Sequence, residues 1–230
     1  MKAIIFDLDG TLIDSAPDIR ATANTVLARR GLGPITLAQT RGFIGAGAGA
    51  FITRLVAAVG LEPGPEELRA LEAEFIALYE TAHTHTRLYA GVEAALDALA
   101  ADGWALGLCT NKPIGPTRTV LAHFGLARRF AAVVGGDSLP VRKPAPDPLR
   151  HVQAALGDLP TIYVGDSEVD AATARAAGTP FALFTEGYRH GPVDTIPHQL
   201  AFARFDTLPA LAGALLDPGP GSNTPLAQPL

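Results

Sequence analysis

The sequence predicts an α/β protein: a doubly wound parallel sheet with a small all-helical unit inserted after its first strand. Three observations lead there. Short apolar segments at residues 3–6, 105–109, 131–134 and 161–164 each run into Gly, Asp, Thr or Asn, as buried parallel strands do. Helical patterns separate the later segments, which makes the strands parallel and covers both faces of the sheet. Roughly ninety residues lie between the first strand and the second, where one βαβ crossover takes a few tens.

The chain enters its first strand at Lys2. Ser15-Ala16-Pro17-Asp18 is a helix start, with proline in the first turn and an acid near the N-terminus. Pro63-Gly64-Pro65-Glu66-Glu67 opens a further helix, on which Leu68, Leu71, Phe75 and Leu78 recur at helical spacing. Helices with their own apolar faces need a partner, so residues 15–86 are expected to form a helical cap, with residues 1–14 and 87–216 as the core. A hinge is expected at residues 14–15 and 89–90, where the two connections meet. Residues 171–177 read as a helix ended by Gly178, residues 180–184 as a fifth strand and residues 208–216 as a final helix. Residues 217–230, rich in Pro, Gly, Ser and Asn without periodicity, are expected to be a disordered tail.

Composition narrows the partners. A net charge of -5 with dispersed basic residues argues against nucleic acid. No apolar run approaches the roughly 20 residues of a membrane helix, and the single cysteine, Cys109, cannot form an internal disulfide. Cytoplasm and a small-molecule ligand are the expectation; oligomeric state is not legible.

The chemistry concentrates at strand ends. Phe6-Asp7-Leu8-Asp9-Gly10-Thr11 places two carboxylates two residues apart after an apolar strand, so both can face one ligand. Paired aspartates also cap turns, but Val164-Gly165-Asp166-Ser167-Glu168-Val169-Asp170 adds a second acidic turn after another strand. Ligands of such sheets bind beyond the carboxyl ends of the strands, which brings the two turns together. Crowded carboxylates need a cation or a shared proton, and an all-oxygen set suits Mg²⁺ better than Ca²⁺ for phosphate chemistry. Thr110-Asn111 after the second strand and Lys143-Pro144 before a helix start add a hydroxyl, an amide and an ammonium for phosphate oxygens.

Taken in chain order over residues 3–184, these four motifs resemble those of the haloacid dehalogenase superfamily phosphatases, whose core is a Rossmann-like sheet. The resemblance implies Asp7 as nucleophile, Asp9 as general acid and base, Thr110 and Asn111 at the phosphate and Lys143 as the charge-neutralising lysine. It implies Mg²⁺ held by Asp7, the backbone carbonyl of Asp9 and Asp166, with Asp170 in the outer shell. The residues support such a mechanism independently, because an ionised carboxylate attacks phosphorus without activation.

Asp9 distinguishes this chain from the dehalogenases, which need no acid for a halide. The lack of lysine between Ser15 and His85 separates it from the phosphonate-cleaving branch. What remains is a phosphatase for a small substrate, among them sugar phosphates and pyrophosphate, or a phosphomutase of the β-phosphoglucomutase kind. A non-catalytic phosphate sensor is disfavoured, because a binder has no use for both aspartates. The cap loop Arg41-Gly42-Phe43-Ile44-Gly45-Ala46-Gly47-Ala48 and the segment Gly187-Tyr188-Arg189-His190-Gly191 resemble phosphoglycolate phosphatases, although Ala46 stands where that loop often has Asn. This favours 2-phosphoglycolate, with its carboxylate on the N–H groups around Gly45 and Gly47 and near Arg41 or Arg54, and with Arg189 and His190 as further contacts. The glycines read equally well as a tight turn. A dinucleotide fingerprint at Gly45 to Ala50 lacks its strand, and a phosphate-loop kinase motif is absent. His83 and His85 read as non-ligating residues at a helix end.

Overall fold

The computed structural model describes residues 1–216; the expected disordered tail lies outside them. Six strands form one parallel sheet in the order β5-β4-β1-β6-β7-β8: β1 (Lys2–Phe6), β4 (Trp104–Cys109), β5 (Ala132–Val134), β6 (Thr161–Gly165), β7 (Phe181–Phe184) and β8 (Leu200–Phe202). The strand β8 was not foreseen: three residues are too few to carry a pattern. It pairs in parallel with β7, extending the sheet beyond the expected fifth strand.

Alternation along β1 divides the core. Ile4 and Phe6 face one layer with α5 (Val92–Ala101), α6 (Ile114–His123) and α9 (Leu208–Leu216). Ala3 and Ile5 face the other layer, with α7 (Asp147–Ala155) and α8 (Glu168–Ala177). The fold is therefore doubly wound. β1 pairs with β4 on one side and β6 on the other, and the chain reverses its direction of travel across the sheet there. Such a switch point opens a crevice at the carboxyl edge.

Helices α1 (Ala16–Ala28), α2 (Leu37–Phe43), α3 (Ala48–Ala58) and α4 (Pro65–Tyr79) follow β1. They bury a cluster of their own, in which Ile19, Val26, Ile52, Leu55, Leu71 and Phe75 meet. Full burial of each such side chain is worth about 1.5–3 kcal/mol, enough for the helices to need one another. The chain leaves and re-enters the sheet layer through a short antiparallel ladder, β2 (Ile13–Asp14) with β3 (Arg87–Leu88). Two-residue strands give no periodic signal, and this ladder was also not foreseen. Among the described residues no helix is long and apolar enough to cross a membrane.

Candidate active site

The loop after β1 is built to bring two acidic turns into contact. Asp7 N–H still donates to Val164 O at 2.8 Å, so Asp7 sits at the edge of the sheet. The Leu8 carbonyl then receives the N–H groups of Thr11, Leu12 and Ile13 at 3.2, 2.9 and 3.1 Å, which turns the chain sharply. Gly10 has φ +89°, and a Cβ there would lie 2.4 Å from Asp166 Oδ2. Glycine is required both by the backbone and by the approach of Asp166. Gly187 closes the third side: a Cβ on it would stand 2.3 Å from the same oxygen.

Asp7, Asp166 and Asp170 each offer a carboxylate oxygen, all within 4.8 Å of one another and all buried. Asp166 Oδ1 accepts from Thr11 Oγ1 at 2.9 Å and Oδ2 from Tyr188 N at 2.6 Å. Burial, with the charges of Asp170 and Asp7, nevertheless drives the Asp166 carboxyl well above its ordinary range. Burial and the charge of Asp170 also push Asp7 up to about 6, against the pull of Lys143. Asp7 Oδ1 is buried and lies 2.8 Å from Lys143 Nζ as an ion pair, yet it takes part in no hydrogen bond. Three buried carboxylates that share one ammonium leave negative charge under-compensated, and such an all-oxygen set fits a divalent cation.

Lys143 is the compensating charge already in place. Its Nζ donates to Asp170 Oδ1 at 2.7 Å and to Tyr163 Oη at 2.8 Å, besides the Asp7 contact. Burial opposes the ammonium, but the carboxylates of Asp170 and Asp7 outweigh it and hold Lys143 above the ordinary lysine value. Asp170 in turn is held low, burial notwithstanding, by the Lys143 charge and by hydrogen bonds. Its Oδ2 receives Ser167 Oγ at 2.6 Å, in the capping box that starts α8. That box starts α8 at Glu168, three residues before the expected helix start, so the acidic turn is itself the first turn of the helix.

Asp9 faces a different set of groups. Its Oδ1 accepts from Ser15 Oγ at 2.6 Å and from Lys112 Nζ at 3.0 Å; Lys112 also lies 3.3 Å from Oδ2. Lys112 donates to the Tyr79 hydroxyl as well and sits 4.0 Å from the centre of that ring. Burial lowers the Lys112 pKa even with Asp9 beside it. Sequence reasoning gave Lys112 no role, since a lysine before proline in a turn usually faces water. Thr11, Tyr79 and Tyr163 were missed as well.

A cavity of about 60 Å³ lies between Asp7, Asp9 and Thr110 of the core loops and Ile44, Phe51 and Tyr79 of the helices. The Thr110 hydroxyl accepts from Lys112 N at 3.2 Å. Asn111 lines the cavity, but its amide is committed: Nδ2 donates to Gly45 O and Lys143 O, both at 3.0 Å, while Oδ1 accepts from Lys143 N. It ties the cap loop to the lysine loop, with no free donor left for phosphate. Gly45 and Gly47 line the cavity with positive φ, and Gly45 turns its carbonyl to Asn111.

The expected cations of the cap lie elsewhere. Arg41 pairs with Asp14 at 3.1 Å, and Arg54 donates to the carbonyls of Phe43 and Gly42 at 3.0 and 3.5 Å. Arg189 donates to Thr185 O. His190 bridges the two layers: Nε2–H donates to Gly42 O of the cap at 2.9 Å, and its backbone N–H to Glu168 of α8 at 3.0 Å. None of these four lines the cavity. His83 stacks on His123 at 4.1 Å, and Cys109 is a buried strand residue whose thiol burial pushes up to about 12.

The haloacid dehalogenase-like hydrolase family profile matches residues 4–184. A phosphoglycolate phosphatase of Cereibacter sphaeroides is 54% identical over 217 residues, spanning 94% of this chain and 100% of that one. One from Rhodobacter capsulatus is 44% identical over 209 residues, 91% of this chain and 95% of its own. The crystal structure of a predicted phosphoglycolate phosphatase from Haemophilus somnus superposes with a TM-score of 0.86 at 31% identity, covering 92% of this chain and 98% of that one. The chain belongs to the haloacid dehalogenase-like hydrolases. Within them it is a phosphatase, an enzyme whose aspartate cluster suits catalysis through a phospho-aspartate.

Proposed function

We propose that the chain hydrolyses 2-phosphoglycolate to glycolate and phosphate, with Mg²⁺, through a phospho-enzyme on Asp7. The observation that carries the reaction is the meeting of Asp7, Asp166 and Asp170 around Lys143, with Asp7 and Asp9 both lining a small cavity. With its carboxyl near 6, Asp7 is mostly ionised at neutral pH and needs no base. One of its oxygens forms a bond to phosphorus while the bond to the ester oxygen breaks. Asp9 gives a proton to the departing alkoxide, then takes one from the water that cleaves the Asp7–phosphorus bond. Lys143 offsets charge on the phosphoryl oxygens, and Thr110 supplies a hydroxyl to them. Asp7, Asp166 and the Asp9 carbonyl would hold Mg²⁺, with Asp170 behind them; when bound, the ion neutralises the phosphoryl group.

The comparisons support the substrate. The relatives that align over nearly their whole length are named phosphoglycolate phosphatases. Residues 1–14 and 87–216 then act as the catalytic core and residues 15–86 as the cap over it. On this reading the enzyme works in the cytoplasm on a small phosphorylated metabolite.

The test is phosphate release from 2-phosphoglycolate, β-glucose 1-phosphate, pyrophosphate and nucleotides, with Mg²⁺ and with chelator. A Mg²⁺-dependent preference for 2-phosphoglycolate is expected, lost with its phospho-enzyme in Asp7→Asn. Preference for another phosphate would overturn the substrate, and turnover surviving in Asp7→Asn would overturn the mechanism.

A further inference from the structure

We propose that Lys112 recognises the substrate's carboxylate, with the Tyr79 hydroxyl of α4 completing the subsite. The inference rests on the reading above, in which Asp9 protonates the leaving oxygen of 2-phosphoglycolate.

The first argument is reach. In 2-phosphoglycolate the carboxylate carbon is two bonds from the ester oxygen. An acid that protonates this oxygen must stand within about 2.6–3.2 Å of it. Lys112 Nζ is 3.0 Å from Asp9 Oδ1, so the ammonium stands no more than about 6 Å from an oxygen that Asp9 protonates, close enough to meet a carboxylate two bonds from it.

The second argument is elimination. Among the described residues that line the cavity, Lys112 is the one cation. Arg41 is spent on Asp14, and Arg54 on backbone carbonyls outside the cavity. Lys143 already faces Asp7, Asp170 and Tyr163. Lys112 has three N–H donors and, among the described residues, two partner groups, Asp9 and the Tyr79 hydroxyl. Tyr79 is held in place by stacking on Phe75 at 5.5 Å, and Phe75 on Phe51 at 5.2 Å, so the hydroxyl reaches Lys112 from a rigid ring ladder.

The competing account makes Lys112 a mere holder of Asp9. Burying an ammonium for that purpose is costly, and replacing such a pair by apolar groups is often neutral. Asp9 already has the Ser15 hydroxyl at 2.6 Å. A cation beside a cavity that must receive an anionic leaving group has a use that a holder lacks, and the apolar walls at Ile44 and Phe51 strengthen its attraction for that anion.

The test is Lys112→Met, assayed with Mg²⁺ on 2-phosphoglycolate and on 2-hydroxyethyl phosphate, an ester of equal chain length without the carboxylate. The readout is the ratio of kcat/KM for the first substrate over the second. The ratio should fall about tenfold to a hundredfold, mainly through KM, as expected for loss of a charged hydrogen bond. If wild type prefers the carboxylate ester and Lys112→Met keeps the whole preference, or both substrates decline equally, the assignment of Lys112 is wrong while the substrate reading stands. If wild type shows no preference, the substrate reading falls and the carboxylate subsite falls with it. Tyr79→Phe, read by the same ratio, keeps the question decidable should Lys112→Met not fold; an unchanged ratio there removes Tyr79 from the subsite.

Discussion

Replacing Asp18 by Ala removes one oxygen, Oδ2, that receives three hydrogens: from His85 N at 2.9 Å, Thr86 N at 2.6 Å and Thr86 Oγ1 at 2.7 Å. These bonds tie the first turn of α1 to the chain returning toward β3, beside the short ladder that joins helices and sheet. The backbone N–H of buried Thr86 would be orphaned at a cost of about 1–3 kcal/mol, whereas that of exposed His85 can turn to water. Loss of a negative charge from the N-terminal turn of α1 adds about 0.5 kcal/mol. The expected total is about 3 kcal/mol, or roughly 6–12 °C in Tm for a chain of this size. Asp18→Asn keeps an acceptor in place and should lose about half as much, since charge-assisted bonds are roughly twice as strong as neutral ones. Urea unfolding gives both values, and native-state exchange should show faster opening at the Thr86 amide. A loss under about 1 kcal/mol for Asp18→Ala, or equal losses for the two variants, would refute the reasoning.

Tyr163→Phe removes the hydroxyl that accepts from Lys143 and stands 3.0 Å from the Cys109 carbonyl; kcat should fall about tenfold with KM little changed, and stability by about 1–2 kcal/mol. Equal effects on kcat and KM would argue against a positioning role. Gly10→Ala combines a positive φ with a Cβ 2.4 Å from Asp166 Oδ2, so about 2–4 kcal/mol should be lost, together with Mg²⁺ affinity by titration calorimetry. Glu74 is held below its ordinary value of 4.5 by hydrogen bonds from Arg30 and Arg29. Its depressed folded pKa gives stability that is present above pH 4.5 and lost as pH falls through the lower folded value. Glu74→Gln should therefore cost about 0.5 kcal/mol at pH 7 and nothing at acid pH, as urea unfolding across pH would register.

The sheet was legible because burial on both faces leaves a continuous apolar run that no other element of four to six residues produces. Residues 3–6, 105–109 and 161–164 lie within β1, β4 and β6; β1 starts at Lys2 as read, and β4 and β6 are each one residue longer. The helix opened by Pro63 to Glu67 starts at Pro65, and Leu71 and Phe75 are buried on it as their spacing requires. Where pattern needs length, it failed: β8 and the β2–β3 ladder are too short to show a period. Helix α8 began early because Ser167 and Asp170 look like site residues and are also its capping box.

The site divides along the same line. Asp7, Thr110 and Asp166 are fixed by strand ends, so their neighbourhood follows from topology alone. Lys112 contacts Asp9 across 103 residues and Tyr79 across 33, and no local rule joins those three. The search for a carboxylate partner turned to Arg41 and Arg54 because charge in the cap was visible in the sequence, but the structure spends both within the cap and its connection. Residues 15–86 contain no lysine, and the aromatic groups α4 presents to the site carry only a hydroxyl. No cation of that segment lines the cavity, whose one cation among the described residues, Lys112, comes from the core. On the assignment proposed above, Lys112, two residues past Thr110 on the same loop, holds the substrate's carboxylate. Selection of the substrate would then reside as much in the core loop after β4 as in the cap, and exchanging the cap alone would not transfer it.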